Sequence, residues 1–283
     1  MTVERFEAPV DGGAGPNGSV GSFLAGTVTG DGPPVLVLHG GPGLSVSIVD
    51  GLVADLAPSY RVAAFQQRGI EPSTTEGVFT IDEALADVVA VLDHLGWEQA
   101  YVVGSSWGGH LAFWVADRLP GRLLGVLAVD PLGAVGDGGN EEFEAEMSRR
   151  TPEKDRDRAA ELDRLAQEGE VTEEQALESL RLFWPAYFAD PSTAPAMPPM
   201  RLSIPAYSGL FTDLVARLPE LEASLPSIRV PLGVVVGEQS SIPNSAGRDS
   251  AGRIPGAWTE VVPGAGHLPW LEVPGSVRQA LDR

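Results

Sequence analysis

The chain has no cysteine. Disulfides, thiolate metal sites and a cysteine nucleophile are therefore excluded. No run of residues approaches the about eighteen consecutive apolar positions of a membrane-spanning helix. Cations are scarce: 19 Lys and Arg stand against 39 Asp and Glu, a formal net charge of -20. A surface of that sign repels phosphate backbones and anionic lipid, which argues against nucleic-acid and membrane partners. Met1 to Val10 lacks an apolar core of the secretory kind, so a cytoplasmic location is the expectation. The four histidines show no metal-ligand spacing. No cofactor motif and no internal repeat is visible, and the sequence is silent on oligomeric state.

What is present suits a sizeable folded core. With 283 residues, 43% of them hydrophobic, the chain can build one large domain, or one domain carrying an insertion. Its organising stretch is Val102-Val103-Gly104-Ser105-Ser106-Trp107-Gly108-Gly109-His110. Small β-formers from Ala100 lead into Gly104-Ser105-Ser106-Trp107-Gly108, which matches Gly-x-Ser-x-Gly. Leu111, Trp114 and Val115 then recur at helical spacing. Strand, sharp turn and helix in that order make a nucleophile elbow with Ser106 at its tip. Gly104 and Gly108 would let strand and helix approach closely beside a strained serine.

Taken in order, Phe6 to Val10 and Val20 to Thr29 read as edge strands around a loop, Asp11 to Ser19. Val35 to Leu38 is a continuous apolar run, suited to a strand buried on both faces. It ends in His39-Gly40-Gly41-Pro42-Gly43, a turn almost free of side chains that can offer backbone N–H groups to a ligand. His39 reads as a residue bracing that loop. The N–H groups of Gly41 and Trp107 are the expected oxyanion hole. Ser45 to Leu56 reads as helix and Arg61 to Phe65 as strand, followed by Gln67-Arg68-Gly69. Thr80-Ile81-Asp82-Glu83 reads as a capping box before a helix to about Leu95. Leu123 to Val129 is another buried strand, ending at Asp130.

From Pro131 to Pro226 the pattern becomes helical and densely charged. Phe183, Trp184, Tyr187 and Phe188 cluster there, and proline crowds residues 191–205. This segment is expected to be a lid, its aromatics either lining a pocket or forming the lid's own core. Strands return at Val230 to Val236 and Trp258 to Val262, the latter leading into Gly264-Ala265-Gly266-His267. Residues 270–283 read as a closing helix. The expected fold is a doubly wound, mostly parallel α/β sheet, residues 1–130 and 227–283, with a helical lid at 131–226 inserted before the last two strands.

Through His39-Gly40-Gly41-Pro42-Gly43, Gln67-Arg68-Gly69, the Ser106 elbow and Gly264-Ala265-Gly266-His267, the chain resembles the α/β-hydrolase superfamily, and within it the proline iminopeptidase group. The resemblance implies Ser106 as nucleophile and His267 as general base and acid. It also implies an Asp three residues after Gly237, but that position is Ser240. Two carboxylates could substitute. Asp130, at the end of the strand before the lid, is preferred; Glu238, one residue after the glycine, is the alternative. A dyad of Ser106 and His267 alone is the third reading.

The leading function is hydrolysis of an ester or lactone of a bulky, largely apolar small molecule, with large lactones such as macrolides as one candidate. The second is removal of N-terminal proline. Glu173, Glu174 and Glu178 would then receive the amine, although Gln66 stands where peptidase-like sequences carry Asp. The third is a binding or non-hydrolytic biosynthetic protein reusing the pocket. A nucleophilic Asp would signal a dehalogenase or epoxide hydrolase; Ser106 argues against both.

Overall fold

The computed structural model describes residues 2–10 and 22–283. The loop expected at Asp11 to Ser19 lies outside them. Eight strands are described: β1 (Val3–Pro9), β2 (Phe23–Thr29), β3 (Pro34–Leu38), β4 (Arg61–Phe65), β5 (Ala100–Ser105), β6 (Leu123–Val129), β7 (Leu232–Gly237) and β8 (Trp258–Val262). They form one sheet in the order β1-β2-β4-β3-β5-β6-β7-β8. β1 pairs antiparallel with β2, and β2 antiparallel with β4. Every pairing from β4 across to β8 is parallel. Parallel neighbours end at one edge of the sheet, so the loops after β3, β5, β6, β7 and β8 gather there.

The apolar runs divide by the two-residue period of a strand. Leu36, Leu38, Val102, Ala128, Val234 and Val236 face one hydrophobic cluster, and Val35, Val37, Val103, Leu127, Val129 and Val235 face the other. A sheet apolar on both faces must be covered on both. Helices α1 (Asp50–Leu56), α2 (Ile81–His94), α3 (Trp107–Arg118), α4 (Asn140–Arg150), α5 (Arg156–Gln167), α6 (Glu173–Phe183), α7 (Ile204–Ser224), α8 (Asn244–Gly252), α9 (Pro269–Glu272) and α10 (Ser276–Leu281) follow in order. Leucines and valines of α2, α3 and α7 fill the first cluster, while α1, α9 and α10 cover the second.

The segment 131–226 carries α4 to α7, and its parts differ in packing. Leu210, Leu214, Leu218 and Leu221 of α7 share the sheet's first cluster. α4 and α5 carry many exposed charged residues, whereas α6 is mostly half-buried, and α4 reaches the edge where the loops gather through Arg150 and the Ser240 carbonyl. None of the described helices is long and apolar enough to cross a membrane.

Some local expectations give way to long-range contacts. Val46–Val49 is a 3-10 turn ahead of α1, so the helix read from Ser45 begins later. Thr80 caps α2 by accepting from the Glu83 N–H at 3.3 Å. The Glu83 side chain does not close the box, because it pairs with Arg68 at 2.8 Å. The closing helix is broken into α9 and α10, with Gly275 between them at a φ of 89°; Pro274 cannot continue a helix.

Arg68 anchors the segment after β4 from below. Its guanidinium grips Asp87 on α2 with two hydrogen bonds, 2.7 and 2.5 Å, and both side chains are buried. Removing one member of such a pair leaves an uncompensated buried charge. Arg68→Ala is therefore expected to destabilise the fold by about 3–5 kcal/mol, read as a lower urea midpoint. In the Arg68→Ala/Asp87→Ala double variant, part of that loss returns.

Candidate active site

Ser106 sits between β5 and α3 with φ 56° and ψ -118°, a conformation L residues rarely adopt. Two close approaches hold it there. A Cβ on Gly104 would lie 2.0 Å from the Gly108 carbonyl oxygen, and one on Gly108 would lie 2.1 Å from that of Leu38. Only glycine fits at either position. The strained turn lifts Ser106 out of the strand at the N-terminus of α3, where unpaired N–H groups favour negative charge.

The glycine loop after β3 lies directly against this elbow: a Cβ on Gly40 would come 3.0 Å from the Ser106 Cβ. Gly41 has φ 64°, and a side chain there would strike Leu44. Its N–H has no acceptor among the described residues, and neither does that of Trp107, the first residue of α3. Gln67 fastens the two halves together. Its Nε2 donates to the His39 carbonyl at 3.2 Å, and its Oε1 accepts from the Trp107 indole at 3.1 Å. His39 is fully buried; it donates from Nδ1 to the Gly40 carbonyl at 3.0 Å and accepts at Nε2 from the Gln67 N–H at 3.3 Å. It braces the loop, as its sequence context suggests.

His267, on the loop after β8, meets Asp130, on the loop after β6. Its Nδ1 donates to Asp130 Oδ2 at 2.5 Å, and both side chains are buried. Asp130 has φ 45°, and its own N–H donates to the Val235 carbonyl of β7 at 2.6 Å. The Gly237 N–H donates to Oδ1 at 3.0 Å, and the Ser240 hydroxyl donates to Oδ2. The His267 Nε2 has no hydrogen-bond partner among the described residues. The Ser106 N–H donates to the carbonyl of Val129, the neighbour of Asp130, at 3.0 Å, which sets the elbow beside the loop after β6; the hydrogen bonds among the described residues include none from its hydroxyl to His267.

Glu238 is not brought to His267; it is exposed and accepts from the Gly264 N–H at 3.0 Å. The glutamates considered for an amine also point elsewhere. Glu178 is held by Arg158 at 2.8 and 2.7 Å, and Glu173 and Glu174 are exposed in the first turn of α6. Gln66 is buried and bonded to Val46 N, Leu44 O and Gln67 O, which makes it a brace.

Two of the aromatics of 183–188 join the core of the sheet rather than a separate core of the lid. Trp184 and Phe188 are buried in the second cluster. Tyr187 stacks on the His267 ring at 5.0 Å between centroids, with Phe143 of α4 beyond it at 6.4 Å. Burial pushes the Tyr187 phenol up to about 12, so it stays protonated at neutral pH.

Several residues that matter here escape sequence reading. The Tyr187 carbonyl accepts from the His267 N–H at 2.7 Å. Glu272 accepts from Gly266 N at 2.6 Å and Ala189 N at 2.9 Å, tying the His267 loop to the cap. Arg150 donates to the Ser240 carbonyl at 3.2 Å and reaches the carbonyls of Ala186 and Phe188. All but the Gly266–Glu272 bond span dozens of residues, and no local pattern announces them.

A family profile described as alpha/beta hydrolase fold matches residues 33–274, and the chain belongs to that family. It is 40% identical over 101 residues to epoxide hydrolase B of Mycobacterium tuberculosis, a stretch covering 35% of this chain and 28% of that protein. It is 31% identical over 86 residues to proline iminopeptidase of Clostridioides difficile, covering 29% of each. The chain thus matches under a third of the length of either relative. The crystal structure of carboxylesterase CesB from Bacillus subtilis superimposes with a TM-score of 0.66 at 21% identity, over 99% of this chain and 90% of that one. Identity that low speaks for the fold alone.

Two buried imidazoles beside the site carry a pH signature. Burial holds His39 and His110 well below their ordinary value of 6.5, at about 4. Between those values the unfolded chain binds protons that the native chain refuses. Their contribution to stability is therefore full above pH 6.5, falls as pH drops towards 4, and levels off below. The slope contributed by each should approach about 1.4 kcal/mol per pH unit. Urea unfolding at pH 7, 6 and 5 reads it, and His110→Gln should flatten the dependence.

Proposed function

We propose that the chain is a serine hydrolase that cleaves a carboxylic ester or lactone of a bulky, largely apolar small molecule. The observation that carries the reading is the 2.5 Å bond from His267 Nδ1 to the Asp130 carboxylate, which leaves Nε2 free at the sheet edge that bears Ser106. A carboxylate bound to Nδ1 fixes the tautomer in which Nε2 can accept a proton.

Ser106 Oγ attacks the substrate carbonyl while His267 Nε2 takes its proton. The carbonyl oxygen becomes an oxyanion held by the N–H groups of Gly41 and Trp107. The tetrahedral adduct collapses, the C–O bond to the leaving alkoxide breaks, and the imidazolium of His267 returns the proton to that oxygen. Water then attacks the acyl-enzyme with His267 again as base, releasing the acid and free Ser106. The Asp130 carboxylate, bonded to Nδ1, orients the ring and stabilises the imidazolium in each half. These steps call on the chain's own groups and a water molecule, with no cofactor.

The apolar substrate is supported by Tyr187 and Phe143 stacked beside His267, and by Met197 and Met200, partly buried against the second cluster. Aromatic and thioether groups favour a large apolar acyl or alcohol part; a macrolide-type lactone is one such candidate. The occupied Glu178 and the inward-bonded Gln66 weigh against an amine-binding peptidase. Ser106 weighs against epoxide opening through a carboxylate nucleophile.

Hydrolysis of p-nitrophenyl esters of increasing acyl length, of simple and macrocyclic lactones, and of proline p-nitroanilide tests the reading. Esters or lactones should turn over in preference to the anilide. Ser106→Ala should lower kcat by about 10^4-fold or more, and Asp130→Asn by roughly 10^2- to 10^4-fold, whereas Glu238→Gln should leave it within about twofold. Full activity in Asp130→Asn would sink the assignment of the acid; preference for the anilide would replace the esterase with a peptidase.

A further inference from the structure

We propose that Ser240 is a positioning residue that holds the Asp130 carboxylate in line with His267. The inference rests on the Ser106–His267–Asp130 reading above and goes beyond it. Ser240 stands where the resemblance leads one to expect the acid itself, and a hydroxyl there cannot serve as the acid. It is nevertheless bonded to the acid, on the same oxygen, Oδ2, that accepts from His267 Nδ1.

The direction of that bond is fixed by its surroundings. The Ile242 N–H donates to Ser240 Oγ at 3.0 Å, so the oxygen is already an acceptor and its single hydrogen is left to point at Asp130. The backbone of Ser240 is pinned as well. Its N–H donates to the Gly237 carbonyl at 3.2 Å, and Arg150 of α4 donates to its carbonyl at 3.2 Å. Its neighbour Gln239 donates from N–H to the Ala265 carbonyl at 2.9 Å, on the loop that carries His267. A hydroxyl held this way cannot rotate away without breaking its own bond to Ile242.

With Gly237 N–H on Oδ1, and His267 Nδ1 and Ser240 Oγ on Oδ2, three donors converge on the carboxylate. Donors to an ionised acceptor are the stronger kind of hydrogen bond. The alignment they hold matters most when His267 becomes an imidazolium that must face the carboxylate, which happens on the way to the tetrahedral adduct and not in the bound substrate. The loss of Ser240 should therefore appear in kcat, with KM little changed.

The test is steady-state kinetics on the best p-nitrophenyl ester, comparing Ser240→Ala, Ser240→Cys and Ser240→Thr with Asp130→Asn. Ser240→Ala should lower kcat roughly 10- to 100-fold, with KM within about twofold. Ser240→Cys, nearly isosteric but a poor donor, should behave alike and guards against an Ala variant that fails to fold. Ser240→Thr, which keeps the hydroxyl, should restore most of the activity. Wild-type kcat in folded Ser240→Ala or Ser240→Cys overturns the proposal, as does a Thr variant no better than Ala. If Asp130→Asn is itself fully active, the triad reading fails; if Asp130→Asn collapses while Ser240→Ala does not, only the role of Ser240 fails.

Discussion

The contact on which the site depends is one between backbones: the first turn of α3 pressed against the ends of β5 and β3. At Gly104 and Gly108 there is no room for a methyl group, the nearest carbonyl oxygens lying about 2 Å from where one would stand. That closeness forces Ser106 to a positive φ, and the positive φ turns its side chain out of the sheet. It also sets the Trp107 N–H beside the glycine loop that carries the Gly41 N–H. Strain of this kind costs on the order of 1–3 kcal/mol and persists only where the surroundings over-determine it. Here they do so through buried bonds: Ser106 N to Val129 O, His110 N to Ser106 O, and the Gln67 bridge between the His39 carbonyl and the Trp107 indole.

The segment 131–226 is bonded to the loops at both ends of the candidate site. At one end, Tyr187 and Ala189 meet the His267 loop through the His267 N–H and Glu272. At the other, Leu202 bridges Leu44, with Ser203 N–H donating to Gly43 O at 2.8 Å and Ser45 N–H to Arg201 O at 3.1 Å, immediately beyond the glycine loop after β3. The proline-rich stretch at 191–205 suits this duty. Proline resists helix formation and leaves extended chain, whose remaining N–H and carbonyl groups are free to pair outside their own segment. Cap and catalytic loops therefore share hydrogen bonds, and a displacement of one draws on the other.

The strands and the elbow were legible in the sequence because their physical demands are local. A strand buried on both faces needs a continuous apolar run, and β3, β4 and β6 fall where such runs lie. An elbow needs glycines at fixed offsets from the serine. Contacts made by long side chains are not local, and there the reading missed. Glu83 looked like half of a capping box and instead pairs with Arg68. Glu178 looked available to a substrate and is held by Arg158. Tyr187 was visible as one of four aromatics, but nothing in the spacing separates the ring that stacks on His267 from the two that enter the core.

The acid stands between those cases, and geometry explains how it can change strands. β6 and β7 are parallel neighbours in register, with Val129 opposite Val235. Residues just past their ends therefore emerge side by side, and a carboxylate from either loop can approach an imidazole arriving from β8. What the chemistry requires is an oxygen at Nδ1, not a sequence position. Asp130, one residue past the end of β6, takes φ 45°, a conformation Asp tolerates better than most residues because its short polar side chain can hydrogen-bond locally. The vacated position then faces a buried carboxylate at close range. A second carboxylate there would repel the first, and an apolar residue would leave Oδ2 with one donor fewer. A hydroxyl avoids both costs, and serine is the smallest side chain that supplies one.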